Sequence, residues 1–358
     1  GWFSSPFIER FEERIRVDGR NIGMSDLARV TLQVREHAEQ MSVETGDHPT
    51  EFELMTAVAL LHFAQVGCQV AVLEVGLGGR LDSTNVIPAP EAAVITNIGL
   101  EHTAILGSTL AAIAAEKSGI LKPGCRAVLY GQSREVGEIV ARACVEKNIP
   151  LTVTDDSQLT LLSSGLDGQR FTYRGSAPLL LPLLGDYQLR NAMTVLDTVD
   201  ALRAQGWNIS ADAVAHGLAA ARWPGRLELV HRRPDLIIDG GHNPQCAQAL
   251  AASLRGLYGG KKLIFLIGVL ADKDWQSMVG EVLPLAKAIV TVRPESDRAK
   301  DENELAAWVR AQGVPAEAHA SIGEALDAVL ALAGPEDAVC AWGSLYSVGE
   351  LRHCLGLC

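Results

Sequence analysis

Aromatic residues make up only 5% of the 358-residue chain, and basic residues are not in surplus. With 31 Lys and Arg against 43 Asp and Glu, the formal charge is −12, which argues against a general binder of nucleic-acid backbones. No apolar stretch runs far enough without charge, Gly or Pro to cross a bilayer. No charged-then-apolar leader opens the sequence. The seven cysteines form no C-x-x-C pair and no zinc spacing. They read as reduced thiols, mostly small core residues, in a cytoplasmic protein. Internal repeats and low-complexity tracts are missing as well. What is left is the composition expected of a soluble α/β protein, nearly half apolar and long enough for two domains.

Short β-branched runs bounded by Gly, Pro or Asp predict buried parallel strands at 70–76, 92–99, 125–131, 235–241, 262–269, 288–294 and 337–343. Helical periodicity fills the intervals at 50–67, 108–119, 135–148, 187–206, 244–257 and 302–313. Such alternation implies right-handed βαβ units and parallel sheets covered by helices. The stretch 151–185 alternates and carries turn signals, predicting a small antiparallel patch on the first domain. "RWPGR" (222–226) breaks the helical pattern and places a boundary there. The expected architecture is α/β: an N-terminal parallel-sheet domain over 1–222, and a smaller doubly wound, Rossmann-like domain over 223–358.

In open parallel sheets, ligands bind beyond the carboxyl ends of the strands. Three polar groups fall at such ends: Glu74 before "GLGG", His102 in "ITNIGLEH" and Asp239 before "GGHNP". Glu74 closes an apolar run and is expected to be buried, where an unpaired charge is strongly penalised. A carboxylate and an imidazole from neighbouring strand ends have the chemistry to hold a divalent cation, and a site with few oxygen ligands suits Mg²⁺. The plainer reading pairs Glu74 with Arg80 and makes His102 a helix cap. Lys117 lies in the last turn of an Ala-rich helix before Gly119, where an ammonium complements the helix dipole. Beside a cation site, that ammonium makes sense only if its charge is changed.

"GGRLDSTN" offers backbone N–H groups with Asp82, Ser83 and Asn85 as polar handles, although a lone Gly-rich turn serves equally as a tight connection. "DGGHNP" has the same form, with Pro244 at the first position of a helix. Ser344 in "WGSLYSVGEL" is either an N-cap or a ligand contact. "ADKD" (271–274) reads as a solvated loop.

Taken in order, "SSPFIERFEERIRVDG" (4–19), "TEFELMTAVALL" (50–61), "LEVGLGGRLDSTN" (73–85), "ITNIGLEHTAILG" (95–107), "IAAEKSGILK" (113–122), "WPGRLE" (223–228), "IIDGGHNP" (237–244) and "WGSLYSVGE" (342–350) resemble the folylpolyglutamate synthase/dihydrofolate synthase family of the Mur ligase superfamily. The resemblance implies an ATP-dependent ligase that joins L-glutamate to a folate or dihydropteroate carboxylate through an acyl phosphate. It implies Mg²⁺ held by Ser5, Glu74 and His102, and a catalytic Lys117 carried as a carbamate, which replaces the ammonium with an oxygen-bearing anion. Asn191, Arg226 and Asp239 match positions that contact ATP; Thr50 and Leu81, Asp82 and Ser83 match positions lining the pteroate pocket. His242 and Ser344 match the region that holds incoming glutamate, and His242 and Asp239 are also expected to act in catalysis. Closure of two domains across an Arg226-bearing linker would exclude water from the reactive intermediate. The expected partners are these small molecules, without nucleic acid or membrane, and the chain is expected to be monomeric. Phe7 stands where many dual-function members carry His, which leans toward polyglutamylation.

One feature departs from the family pattern. Its phosphate-cradling loop, G-x-x-G-K-[ST], belongs upstream of "FSSPF" and occurs nowhere in the 358 residues. With an opening of "GWFSSPF", the expectation is that the P-loop segment is missing and that the chain alone has little or no ligase activity. Two other readings stay open: a Mur-type ligase adding an amino acid to a cell-wall nucleotide precursor, and a truncated, non-catalytic paralogue that binds a pterin or a partner.

Overall fold

Strands covered on both faces read as short apolar runs with no polar interruption. Leu263–Ile267 and Ala338–Trp342 are buried at every position in the computed structural model, which describes residues 1–357. By contacts the chain forms two units, Gly1–Thr154 with Asp200–Trp207, and Asp155–Val199 with Asn208–Cys358.

In the second unit, the six-stranded sheet runs Glu228–His231, Asp235–Asp239, Ala338–Trp342, Leu263–Ile267, Ala286–Val292, Ala316–His319. Only the Glu228–His231 edge is antiparallel to its neighbour. Register sets Asp239 opposite Trp342 and Trp342 opposite Ile267, so three strands end together, and the loops that follow them share one rim. Leu250, Leu254, Phe265, Val279, Leu305 and Trp342 meet in the core beneath.

The antiparallel patch consists of Leu159–Gly165, Gly168–Tyr173 and Leu179–Leu181. Expected on the first domain, it groups by its contacts with the second unit, and residue 222 falls inside a continuous stretch of that unit. Tyr173 anchors the patch: its hydroxyl donates to Asp197 at 2.9 Å, and Arg174 Nε reaches the other oxygen at 2.9 Å.

The first unit has a parallel sheet of Ala92–Ile95, Arg126–Leu129 and Leu151–Val153. A second, mixed sheet pairs Trp2–Phe3 antiparallel with Ile15–Val17 and parallel with Val72–Leu73. The strand expected over 70–76 is thus two residues long, and Val70 and Val72 are 45% and 62% exposed. Helix Glu51–Gln65 starts at a capping box, in which Thr50 accepts from Glu53 N while Glu53 reaches back to Thr50 N at 2.7 Å. Helix Leu110–Lys117 is capped by Thr109 and runs straight into a 3₁₀ turn at Ser118–Ile120.

Candidate functional site

In the first unit the site grows from the turn after Val72–Leu73. Asp82 folds the "GLGGRLD" segment back on itself: one carboxylate oxygen accepts from Leu77 N at 2.8 Å, and the other accepts from Thr84 N at 3.0 Å and the Thr84 hydroxyl at 2.5 Å. The turn then docks on the end of helix Leu110–Lys117. Arg80 N donates to the Glu116 carbonyl at 3.0 Å, and a Cβ on Gly79 would stand 2.9 Å from that oxygen and 3.0 Å from the Lys117 carbonyl. Glycine is needed here because backbone meets backbone. Lys117, half-buried, is thereby fixed beside the turn.

Glu74 is exposed rather than buried, which overturns the expected burial penalty. Its Oε2 accepts from Ser5 N at 3.0 Å, joining two of the three expected metal-binding residues. Arg80 pairs with Glu116 at 3.0 Å. His102 is the N-cap residue of the short helix Thr103–Leu106 with φ 51°, yet its side chain makes no cap hydrogen bond. A left-handed conformation at a non-glycine residue costs about 1–3 kcal/mol, and the exposed imidazole gains no capping bond in return.

The donor set of a hydroxyl, a carboxylate and one imidazole suits a hard divalent ion that keeps several waters. Among the described residues, no three His, Cys, Asp or Glu lie close enough to hold a metal by themselves. Nucleotide oxygens and water would have to complete the coordination shell.

Beside this pair lies a pocket of about 390 Å³ lined by Ser5, Pro6, Arg14, Phe52, Gly76, Leu77 and Asp82. Ser5, expected at the metal, and Asp82, expected at the pteroate, therefore share one cavity. Thr50, Leu81 and Ser83 are not among its lining residues. Thr50 is engaged in the capping box, Leu81 is 80% exposed, and Ser83 shares a 2.7 Å hydrogen bond with Thr56.

In the second unit, Asp239 is 6% exposed and both its oxygens are taken: Oδ2 accepts from Leu227 N at 2.9 Å, Oδ1 from Gly241 N at 2.8 Å. Burial pushes its carboxyl above the usual range, opposed by the Gly241 N–H and the charge of Arg226. The structure thus gives Asp239 a job that the motif did not predict, that of bracing the "WPGRLE" segment against the glycine loop. Gly240 N donates to the Gly225 carbonyl at 2.7 Å. Gly225 N donates to Glu228 Oε2 at 2.8 Å, and Glu228 Oε1 accepts from Arg352 at 2.5 Å. Arg226, in the middle of this brace, lines a groove of about 560 Å³ with Trp223, Pro182 and Leu184.

His242 Nδ1 lies 3.0 Å from the Gly240 carbonyl. A carbonyl can only accept, so Nδ1 carries the proton, and in the neutral ring Nε2 is an acceptor. Asn243 caps helix Pro244–Tyr258 by accepting from Cys246 N at 2.7 Å. Ser344, 1% exposed, caps helix Leu345–Cys354 by accepting from Tyr346 N at 3.2 Å. Asn191 donates to Gln188 at 2.9 Å within helix Asp186–Ala204. Tyr187, at the start of that helix, is pushed well above the usual phenol range by burial and then by the charge of Asp239. Sequence reasoning missed Tyr187, Arg14 and Arg352. Glu228 lay inside a quoted motif, but its partner is 124 residues away.

A six-stranded, largely parallel sheet with its functional loops on one rim, following a unit with a glycine turn at a strand end, is the architecture of a Mur-type ligase. The models for the Mur ligase middle domain and the Mur ligase glutamate ligase domain match residues 27–199 and 225–345. Folylpolyglutamate synthase from Lacticaseibacillus casei is 36% identical over 311 residues, covering 84% of this chain and 72% of that protein. A probable bifunctional folylpolyglutamate synthase/dihydropteroate synthase from Haloferax volcanii is 35% identical, covering 98% of this chain, which spans only 42% of that longer protein. The structure of Mycobacterium tuberculosis folylpolyglutamate synthase complexed with ADP and AMPPCP superposes with a TM-score of 0.88 at 30% identity, covering 99% of this chain and 84% of that one. The chain belongs to the folylpolyglutamate synthase/dihydrofolate synthase family of ATP-dependent acid–amino-acid ligases.

Proposed function

We propose that the protein joins L-glutamate to tetrahydrofolate, and also to dihydropteroate, at the expense of ATP. The observation that carries this reading is the single cavity that unites Ser5 with Asp82 beside the Ser5–Glu74 bond. It supports reading the pocket, with Phe52 in its wall, as the acceptor site beside the residues that would face the phosphates.

An acceptor carboxylate oxygen attacks the γ-phosphorus of ATP; ADP leaves and an acyl phosphate forms. The glutamate amine then attacks the activated carbonyl carbon, inorganic phosphate departs with the C–O bonding pair, and the amine loses a proton. His242 Nε2 is the acceptor for that proton, its ring being oriented by the Gly240 carbonyl. Arg226, held by the Asp239 and Glu228 brace, meets nucleotide charge, with Asn191 and Asp239 in the same unit. Ser344 presents the positive end of its helix to the glutamate carboxylate. Ser5, Glu74 and His102 would hold Mg²⁺, which supplies positive charge against the transferring phosphoryl oxygens. Lys117, beside the glycine turn, would serve as its carbamate.

The 358 residues contain no G-x-x-G-K-[ST] loop, so turnover by this chain is proposed to be slow and acceptor binding is the direct readout. We further propose a monomer acting in the cytoplasm, in keeping with its free cysteines. Titration calorimetry with tetrahydrofolate, dihydropteroate and a UDP-muramoyl precursor tests the reading. Binding of the two pterins is expected; binding of the muramoyl compound alone would replace this reading with the cell-wall one.

A further inference from the structure

Arg14 lines the 390 Å³ pocket with its guanidinium stacked on two aromatic rings, its Cζ 5.0 Å from the Phe7 centroid and 5.6 Å from that of Phe11. The Nε is buried with no hydrogen-bond partner. Burial pushes the guanidinium pKa down, and the charge of Glu51 only partly offsets this. A desolvated cation with an unpaired donor is costly unless an anion meets it. Stacking on Phe7 and Phe11 holds the planar group in place but satisfies no N–H. Among the other lining residues, Pro6, Phe52 and Leu77 are apolar and suit an aromatic ring, while Ser5 and Asp82 are polar, both Asp82 oxygens already accepting from Leu77 and Thr84. Gly76 keeps the floor open to Phe52, whose ring would lie 2.4 Å from any Cβ there. An aromatic face beside an arginine fork is a site for an aromatic acid.

We propose that Arg14 is the carboxylate anchor of this pocket, binding a carboxylate of the aromatic acid that the ligase extends. The inference rests on the acceptor assignment above and adds the group that reads the acceptor's charge. Two carboxylates share this chemistry: the one that is extended, present in pteroate, and the α-carboxylate of a glutamate already attached, present only in folates.

The test compares pteroate with its neutral carboxamide by calorimetry on the full chain, with tetrahydrofolate as a third ligand. The parent is expected to prefer pteroate over the amide by about ten- to a hundredfold, the range of a charged hydrogen bond. Arg14→Met should erase that preference while leaving amide binding unchanged, and Arg14→Lys should keep part of it. Loss confined to tetrahydrofolate, with pteroate unaffected, assigns the anchored group to the α-carboxylate. Should Arg14→Met fail to fold, phenylglyoxal modification of Arg14 in the parent, read by peptide mass, is expected to be slowed by pteroate and not by the amide. An undiminished preference in Arg14→Met for both acids, or modification indifferent to pteroate and tetrahydrofolate, overturns the anchor while the acceptor assignment stands. A parent chain that binds none of the three ligands overturns that assignment and the anchor with it.

Discussion

Glu228→Gln separates the charge of the brace from its shape. The amide can still accept from Gly225 N, now 2.8 Å from the carboxylate, but the 2.5 Å ion pair with Arg352 is lost. Exposed pairs contribute about 0–1 kcal/mol, and breaking a fully buried one costs about 3–5 kcal/mol. With side chains 26% and 11% exposed, this pair sits between those limits, at about 2 kcal/mol. That is roughly a thirtyfold change in the folding equilibrium. For a unit of roughly 200 residues it amounts to a fall of about 4–8 °C in Tm. Arg352→Met closes a double-mutant cycle, with an expected coupling of about 1–2 kcal/mol. Differential scanning calorimetry reads the stability, and ADP binding reports whether Arg226 has lost its setting. A single-variant shift below about 1 °C, with unchanged ADP affinity, would refute the claim that this pair holds the 225–228 segment.

Gly79→Ala must push the turn off the Glu116 and Lys117 carbonyls, now 2.9 and 3.0 Å from the site of the added Cβ. A stability loss of about 1–3 kcal/mol is expected by urea titration, with weaker pteroate binding. His62 is 4% exposed, and burial lowers its pKa from the ordinary 6.5. The folded state therefore binds fewer protons than the unfolded chain, so stability is full above pH 6.5 and falls as the pH drops below it. His62→Gln should flatten that dependence in urea titrations across pH 5–7, taken as roughly the window where an ordinary His titrates. The proposed carbamate on Lys117 predicts a new ¹³C resonance on incubation with labelled bicarbonate, absent from Lys117→Arg.

Much of the second unit could be read from sequence because its strands are hidden on both faces: Ile289, Val290 and Val292 are all 0% exposed, and short β-branched runs bounded by Gly, Pro or Asp favour strands over helices. Ala316–His319 escaped notice because this edge strand is short and only half-buried. Helix Met24–Thr45 was missed because it is mostly polar, with Val30 and Ala38 its only buried residues. The antiparallel patch was visible as alternation, yet Leu151–Val153 joined the parallel sheet because three residues cannot declare a partner. At the site, strand ends pointed to Glu74, His102 and Asp239, and the glycine turn itself to Asp82. The Ser5–Glu74 bond was not readable, because a backbone N–H carries it across 69 residues. The stack of Arg14 on Phe7 and Phe11 was close in sequence, but nothing in residue order showed that its Nε would be buried without a partner.

The most direct test of the account is anomalous scattering from crystals of the chain grown with an ATP analogue and Mn²⁺ in place of Mg²⁺. A metal peak is expected at coordinating distance from a Glu74 carboxylate oxygen, beside Ser5. A well-ordered nucleotide with no peak there, and Glu74 bonded only to protein, would contradict it.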